Sequence, residues 1–189
     1  MCIPRVAMIA TFVLAILFLC HSHACLPQNS KGDFPDANEV MWKLPLTYML
    51  QSLGNYTNLL CGYRRFYNET HKRDNKTYQK SDLIFLYRDG REFSQPRYVR
   101  EVINYTIHMA NRPEQWFPAR YKLEILFSDM NSCMITRNPD TAFPKACNLM
   151  VTRESFPKPP EICLSKFQQH CKSTGFRYTI GNCPEPKTR

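Results

Sequence analysis

The chain has 189 residues, 43% of them hydrophobic and 13% aromatic, with six glycines, fourteen prolines and a formal charge of +9 from 25 basic and 16 acidic side chains. That composition excludes collagen, low-complexity disorder and an acidic tail, and no fixed period marks a solenoid or propeller. Nine cysteines in so short a chain point to an oxidising compartment.

Arg5 precedes an apolar run from Val6 to Leu19, followed by Ser22-His23-Ala24. A positive start, a short apolar core and a small-x-small exit are the parts of a secretory signal peptide. The run is shorter than the ~20 residues needed to span a bilayer. Residues 1–24 are therefore expected to be removed, leaving 25–189 as one secreted domain without membrane insertion. Asn55, Asn68, Asn75 and Asn104 each open an Asn-x-Thr triplet, a permitted glycan site on an exported chain.

Asp36 to Leu44 reads as a short helix, capped by Asp36 and ended by Pro45, with Val40, Met41 and Leu44 on one side. The pattern then changes to period two. Leu46–Leu53, Tyr56–Tyr67, Leu83–Tyr87, Tyr98–Met109, Arg120–Phe127, Cys133–Thr136 and Cys147–Thr152 read as strands rich in aromatic and β-branched residues. Turn chemistry separates them at Asn68–Asp82, Asp89-Gly90, Asn111–Pro118 and Asn138-Pro139-Asp140. Pro159-Pro160 opens a second helix, Glu161 to Lys172, and Tyr178–Ile180 is a last short strand. Helices outside a run of strands indicate an all-β protein with an antiparallel sheet, and closing that sheet removes its edges.

Alternation assigns faces in two strands. Tyr121, Leu123, Ile125 and Phe127 share one side, as do Val99, Ile103, Tyr105, Ile107 and Met109. If Asn104 carries a glycan, the latter side is internal, and counting places Glu101 on it, either as a carboxylate handle in a cavity or through a slip in the register of the count. Arg64-Arg65 and His71-Lys72-Arg73 read as a solvated basic face, with weak attraction to acidic surfaces. Nucleic acid is not an expected partner of an exported, disulfide-bonded chain. No nucleophile motif, phosphate loop or acid–base pair marks an enzyme, and no cofactor is implied. His71, His108 and His170 are too scattered for a metal site, so the cysteines left after export, Cys25, Cys61, Cys133, Cys147, Cys163, Cys171 and Cys183, are expected to form bridges, with at least one of the seven left without a partner in the chain. Spacing alone does not give their pairing.

The carboxy-terminal third carries a more specific signature. Phe127-Ser-Asp-Met-Asn-Ser-Cys133-Met-Ile135, Cys147-Asn-Leu-Met-Val151, Ile162-Cys163-Leu-Ser-Lys-Phe167 and Asn182-Cys183, with Trp42-Lys43 and Tyr48-Met49 earlier, resemble the secreted salivary lipocalins of ticks, which include the histamine-binding proteins. The resemblance implies an eight-stranded antiparallel barrel with a short N-terminal helix and a C-terminal helix packed on it. It also implies bridges Cys61–Cys183 and Cys133–Cys163. Cys147 and Cys171 are then expected to pair if Asn148 points inward, which leaves Cys25 free or intermolecular.

An eight-stranded barrel can hold one small ligand. Amine-binding members of the family place an acid after the cysteine and a Glu-Leu-aromatic triplet further on. Here Met134, Asn148 and Met150 occupy the acid, glutamate and aromatic positions. Burying an ammonium group without a carboxylate costs several kcal/mol, and a cation–π face returns about 2 kcal/mol. The expected ligand is therefore a sterol, fatty acid or eicosanoid, bound by a monomer through Asn148, Met150, Glu101, Ile103, Tyr105, Tyr121, Leu123 and Ile125. The resemblance further implies modulation of host immune or inflammatory responses, as in the japanin-like branch acting on dendritic cells. Two alternatives stand beside it. One is amine scavenging of histamine or serotonin with Glu101 as the carboxylate. The other is an effector whose outer surface engages complement, another plasma protein or a host receptor.

Overall fold

The computed structural model describes residues 32–72, 75–139, 146–181 and 183–184. The expected export segment, Cys25, Arg73, Asp140 and Asn182 lie outside them.

The chain opens with a two-residue strand β1 (Gly32–Asp33) and helix α1 (Ala37–Lys43). Asp36 accepts a bond from the Asn38 N–H at 2.9 Å, and Val40, Met41 and Leu44 are buried, so cap and apolar side fix both where the helix starts and how it rolls. Eight antiparallel strands follow: β2 (Leu46–Ser52), β3 (Leu59–Thr70), β4 (Thr77–Tyr87), β5 (Glu92–Ile103), β6 (Thr106–Ala110), β7 (Tyr121–Ser128), β8 (Cys133–Arg137) and β9 (Cys147–Val151). Each pairs with the next, and β9 returns to pair with β2, closing the barrel. Strand β1 continues along β7 past the end of β6. Beyond the barrel, helix α2 (Glu161–Cys171) ends on Lys172 in the left-handed region, φ 55°, and β10 (Phe176–Arg177) pairs with the end of β2.

Three expected elements differ, the first being the last short strand, which lies at Phe176–Arg177 rather than Tyr178–Ile180. Tyr98–Met109 is not one strand but the β5–β6 hairpin, with Ile103 opposite Thr106 and Asn104 at φ 55° in the turn. Asparagine tolerates that conformation, so the chain reverses here without the glycine that usually announces a turn. The eighth barrel strand comes from this division, not from Tyr178–Ile180. Asn68–Asp82, expected as a break, is instead the far end of the β3–β4 hairpin, paired from Asn68↔Gln79 to Thr70↔Thr77. Its polar residues near the turn are exposed, whereas Lys80 and Ser81 further along β4 are buried polar groups of the wall.

Strand alternation divides the buried residues into two cores on opposite sides of the wall. The outer core lies under α2, where Cys163, Phe167 and Cys171 meet Leu50, Leu149 and Val151. Three disulfides are built into it: Cys61–Cys183, Cys133–Cys163 and Cys147–Cys171, spanning 122, 30 and 24 positions. On the chain-entropy picture loops of this size contribute about 3–5 kcal/mol each. The inner core fills the barrel and is closed at one end by α1, whose Val40, Met41 and Leu44 pack with Met49, Ile107 and Met134.

Candidate functional site: the barrel interior

The interior side of each strand follows from the ladder, because directly paired residues share a face. Gly62 pairs with Phe85, Arg64 with Leu83 and Phe66 with Ser81; across the next seam Ser81 pairs with Arg97 and Phe85 with Phe93. Gly62 has a packing reason: a Cβ there would meet the Met49 methyl at 3.0 Å and the Phe85 ring at 3.2 Å. On β8 and β9, Met134 sits opposite Met150 and Thr136 opposite Asn148. Cys147, Leu149 and Val151 consequently face α2, which is where Cys147 finds Cys171.

A cavity of about 280 Å³ opens within this interior, at the end opposite α1. Tyr56, Leu83, Phe85, Phe93, Met109, Leu123 and Ala146 supply its apolar wall, and Arg64, Gln95, Arg97, Tyr121, Asn138 and Asn148 its polar groups, with the exposed Lys122 at its edge. Tyr56 stacks against Phe85 at 4.7 Å between centroids, and the Tyr178 hydroxyl accepts its backbone N–H at 2.9 Å. Burial pushes the Tyr56 hydroxyl above the ordinary tyrosine range. The volume lies at the small end of ligand sites.

Of the residues expected at the site, Asn148, Tyr121 and Leu123 line the cavity. Asn148 Oδ1 accepts a bond from the Ser52 hydroxyl at 2.6 Å, which fixes the amide. Met150 and Ile125 are fully buried in the same inner core, outside the cavity's lining. Tyr105 sits in the β5–β6 turn, its ring 5.0 Å from that of Phe34, and Ile103 is 48% exposed. Glu101 is exposed and pairs with His108 on the outer face. The cause is a bulge between Val99 and Glu101, where one extra residue reverses the parity of the count. Asn55, Asn68, Asn75 and Asn104 are all exposed.

The basic pair Arg64-Arg65 is not a solvated face. Neighbours on a strand point to opposite sides, and Arg64 points inward with only 6% exposure. Its Nη1 donates to Ser81 Oγ at 2.8 Å, while its Nε has no partner. Burial lowers its pKa to about 10; Asp82 opposes the shift and Arg97 adds to it. Arg64 therefore stays charged at neutral pH. Arg97 holds its guanidinium 4.0 Å from the centre of the Tyr121 ring and donates to the Pro96 carbonyl at 2.9 Å. No carboxylate stands among the described residues that line the cavity. Sequence reasoning missed Arg64, Arg97 and Ser81, although the alternation Gly62, Arg64, Phe66 carried the signal for the first.

Asp129, Cys133 and Cys163 lie close enough together to suggest a metal site. The two cysteines are a disulfide, and Asp129 Oδ1 accepts the backbone N–H groups of Asn131, Ser132 and Cys133, so the cluster is a turn lock.

A closed eight-stranded antiparallel barrel, plugged at one end by a helix, flanked by a second and hollow inside, defines a ligand-binding protein of the lipocalin type. The family model described as "Tick histamine binding protein" matches residues 58–183, and the chain belongs to that family. A search of the curated proteins gives no match. Among solved structures, the major allergen Per a 4 from cockroaches is similar, with 9% identity, 72% of this chain and 79% of that chain covered, and a TM-score of 0.48.

Proposed function

We propose that this protein is a secreted carrier or scavenger of a small hydrophobic ligand held in the barrel. We further propose that, by removing or delivering that ligand, it modulates host immune or inflammatory responses, with dendritic cells as one target. The observation that carries the reading is the cavity itself, apolar in its wall and without a carboxylate among its described lining residues. An ammonium ligand there would lie among the guanidinium groups of Arg64 and Arg97, where like charges repel. Glu101 stands outside the wall and supplies no compensating charge. Met134, Asn148 and Met150, at the positions where amine binders carry an acid, a glutamate and an aromatic residue, all belong to the interior. Family membership, the three disulfides and the leader-like segment from Arg5 to Ala24 support secretion.

Native mass spectrometry of the protein secreted from animal cells, with organic extraction of what co-purifies, tests this reading. A recovered sterol, fatty acid or eicosanoid is the expected result. A barrel that carries nothing and also fails to take up a panel of such compounds would overturn it and move attention to the outer surface.

A further inference from the structure

We propose that the inner faces of β3, β4 and β5 form an anion-recognition site, made by Arg64, Ser81 and Arg97, for the carboxylate head of an otherwise apolar ligand. The inference rests on the hydrophobic-ligand reading above and names the chemistry of the ligand's polar end.

Three observations converge on it. First, Arg64 is a buried cation whose Nε lacks a partner, although its Nη1 is held by Ser81. An orphaned donor on a buried charge is costly, and a second acceptor at that position removes the cost. Second, Arg97 is the direct cross-strand neighbour of Ser81, and its charge acts on Arg64, adding to the lowering of that group's pKa. Like charges brought together in a low-dielectric interior repel, and an anion between them converts repulsion into attraction. Third, the acid whose charge acts on Arg64 is on the other side of the wall. Asp82 pairs with Arg65 on the outer face, where it accepts from the Tyr67 hydroxyl at 2.7 Å and lies 3.9 Å from Lys80 Nζ.

The head group's chemistry follows from the donors. A guanidinium presents its N–H groups as a planar fork that matches two carboxylate oxygens. Arg97 is restrained by its stack on Tyr121, which favours a planar anion over a spherical one. The tail then has the wall formed by Leu83, Phe85, Met109 and Leu123, and the 280 Å³ volume favours a short or medium alkyl chain. The orphaned hydroxyls of Thr47, beside Arg64 on β2, and Thr136, beside Asn148 on β8, are further unpaired polar groups next to residues that line the cavity.

The test compares dodecanoate, dodecanol and dodecylamine by titration calorimetry on the full secreted protein, on Arg64→Gln and on Arg97→Gln, each variant first checked for native circular dichroism. The expected result is dodecanoate binding at least about tenfold tighter than dodecanol, with dodecylamine weakest, and a loss of about tenfold or more for dodecanoate alone in either variant. Equal binding of acid and alcohol by the wild-type protein, or an acid preference that survives both substitutions, would overturn the anion site while leaving a hydrophobic carrier intact. Binding of none of the three would overturn the hydrophobic-ligand reading and this inference together. If Arg64→Gln does not fold, the wild-type comparison and Arg97→Gln decide the matter, because Arg97 is only partly buried.

Discussion

The two cores of this protein share the same strands and differ only in which alternate residue they use. Outside the wall, Leu50, Leu149, Val151 and Phe167 pack around three disulfides, a set of apolar groups and covalent clips. Inside, Met49, Met109, Met134 and Met150 surround a polar strip in which Arg64 Nε, Thr47 Oγ1 and Thr136 Oγ1 lack partners. Methionine adapts to irregular shapes, whereas branched residues and disulfides define one shape. The contrast teaches that stability is concentrated on one side of the sheet, which frees the other side to keep unsatisfied chemistry for a ligand.

The largest effect should come from the outer side. Replacing Cys61 and Cys183 together by alanine is expected to cost about 2–5 kcal/mol in denaturant unfolding. The ligand preference of the folded protein should not change; a changed preference would mean that the outer core also shapes the cavity. Next, Arg64→Met should leave the ligand-free protein as stable or stabilise it by about 1–4 kcal/mol, because an incompletely paired buried charge is replaced by a group of similar length. A clear loss of stability in the same unfolding experiment would make Arg64 a structural residue and dissolve the contrast.

Third, Asn148→Glu places a carboxylate beside the inner cations. Arg64 and Arg97 are expected to absorb its charge, so histamine binding should rise by about tenfold only in the double variant Asn148→Glu with Arg64→Met, as read by calorimetry. A full gain in the single variant would show that the inner cations do not govern the cavity.

The smallest effect lies at the strap that ties β1 to α2. Asp33 meets Lys166 and His170, the latter at 2.7 Å. Burial alone would raise its pKa, but hydrogen bonds from Lys166 and His170 and their charges hold it below the ordinary 3.8. A lowered carboxyl stabilises the fold above its unfolded value, and that contribution disappears as the pH falls through the lowered folded one. The side chain is 37% exposed, so solvent screening keeps the effect below ~1 kcal/mol. Asp33→Asn should remove it at pH 7 and flatten the acid limb of the stability profile.

Much of the fold was legible because local chemistry and global fold agree. Asp36 and Pro45 bracket α1, Pro160 precedes α2, and period-two runs mark most strands. The β5–β6 turn was hidden because Asn104-Tyr105 interrupts a run of β-branched residues with no glycine, and the face of Glu101 was lost because a bulge leaves no mark in composition. Asn148 was found through its place in a family pattern, and alternation carried it inward. Arg64 illustrates the opposite error: adjacent arginines suggest a basic surface, yet on a strand only one of two neighbours can face solvent. Arg97 had no such signal, since its inward side is defined only through its pairing with Ser81 on another strand.

Methyl-region NMR of the protein, labelled at methionine, leucine, isoleucine and valine and titrated with dodecanoate, tests the division between the two cores most directly. The account predicts shifts at Met109, Leu83 and Leu123 around the cavity, with Leu50, Leu149 and Val151 under α2 unchanged. Shifts confined to the outer core, or none at the cavity methyls on saturation, would contradict it.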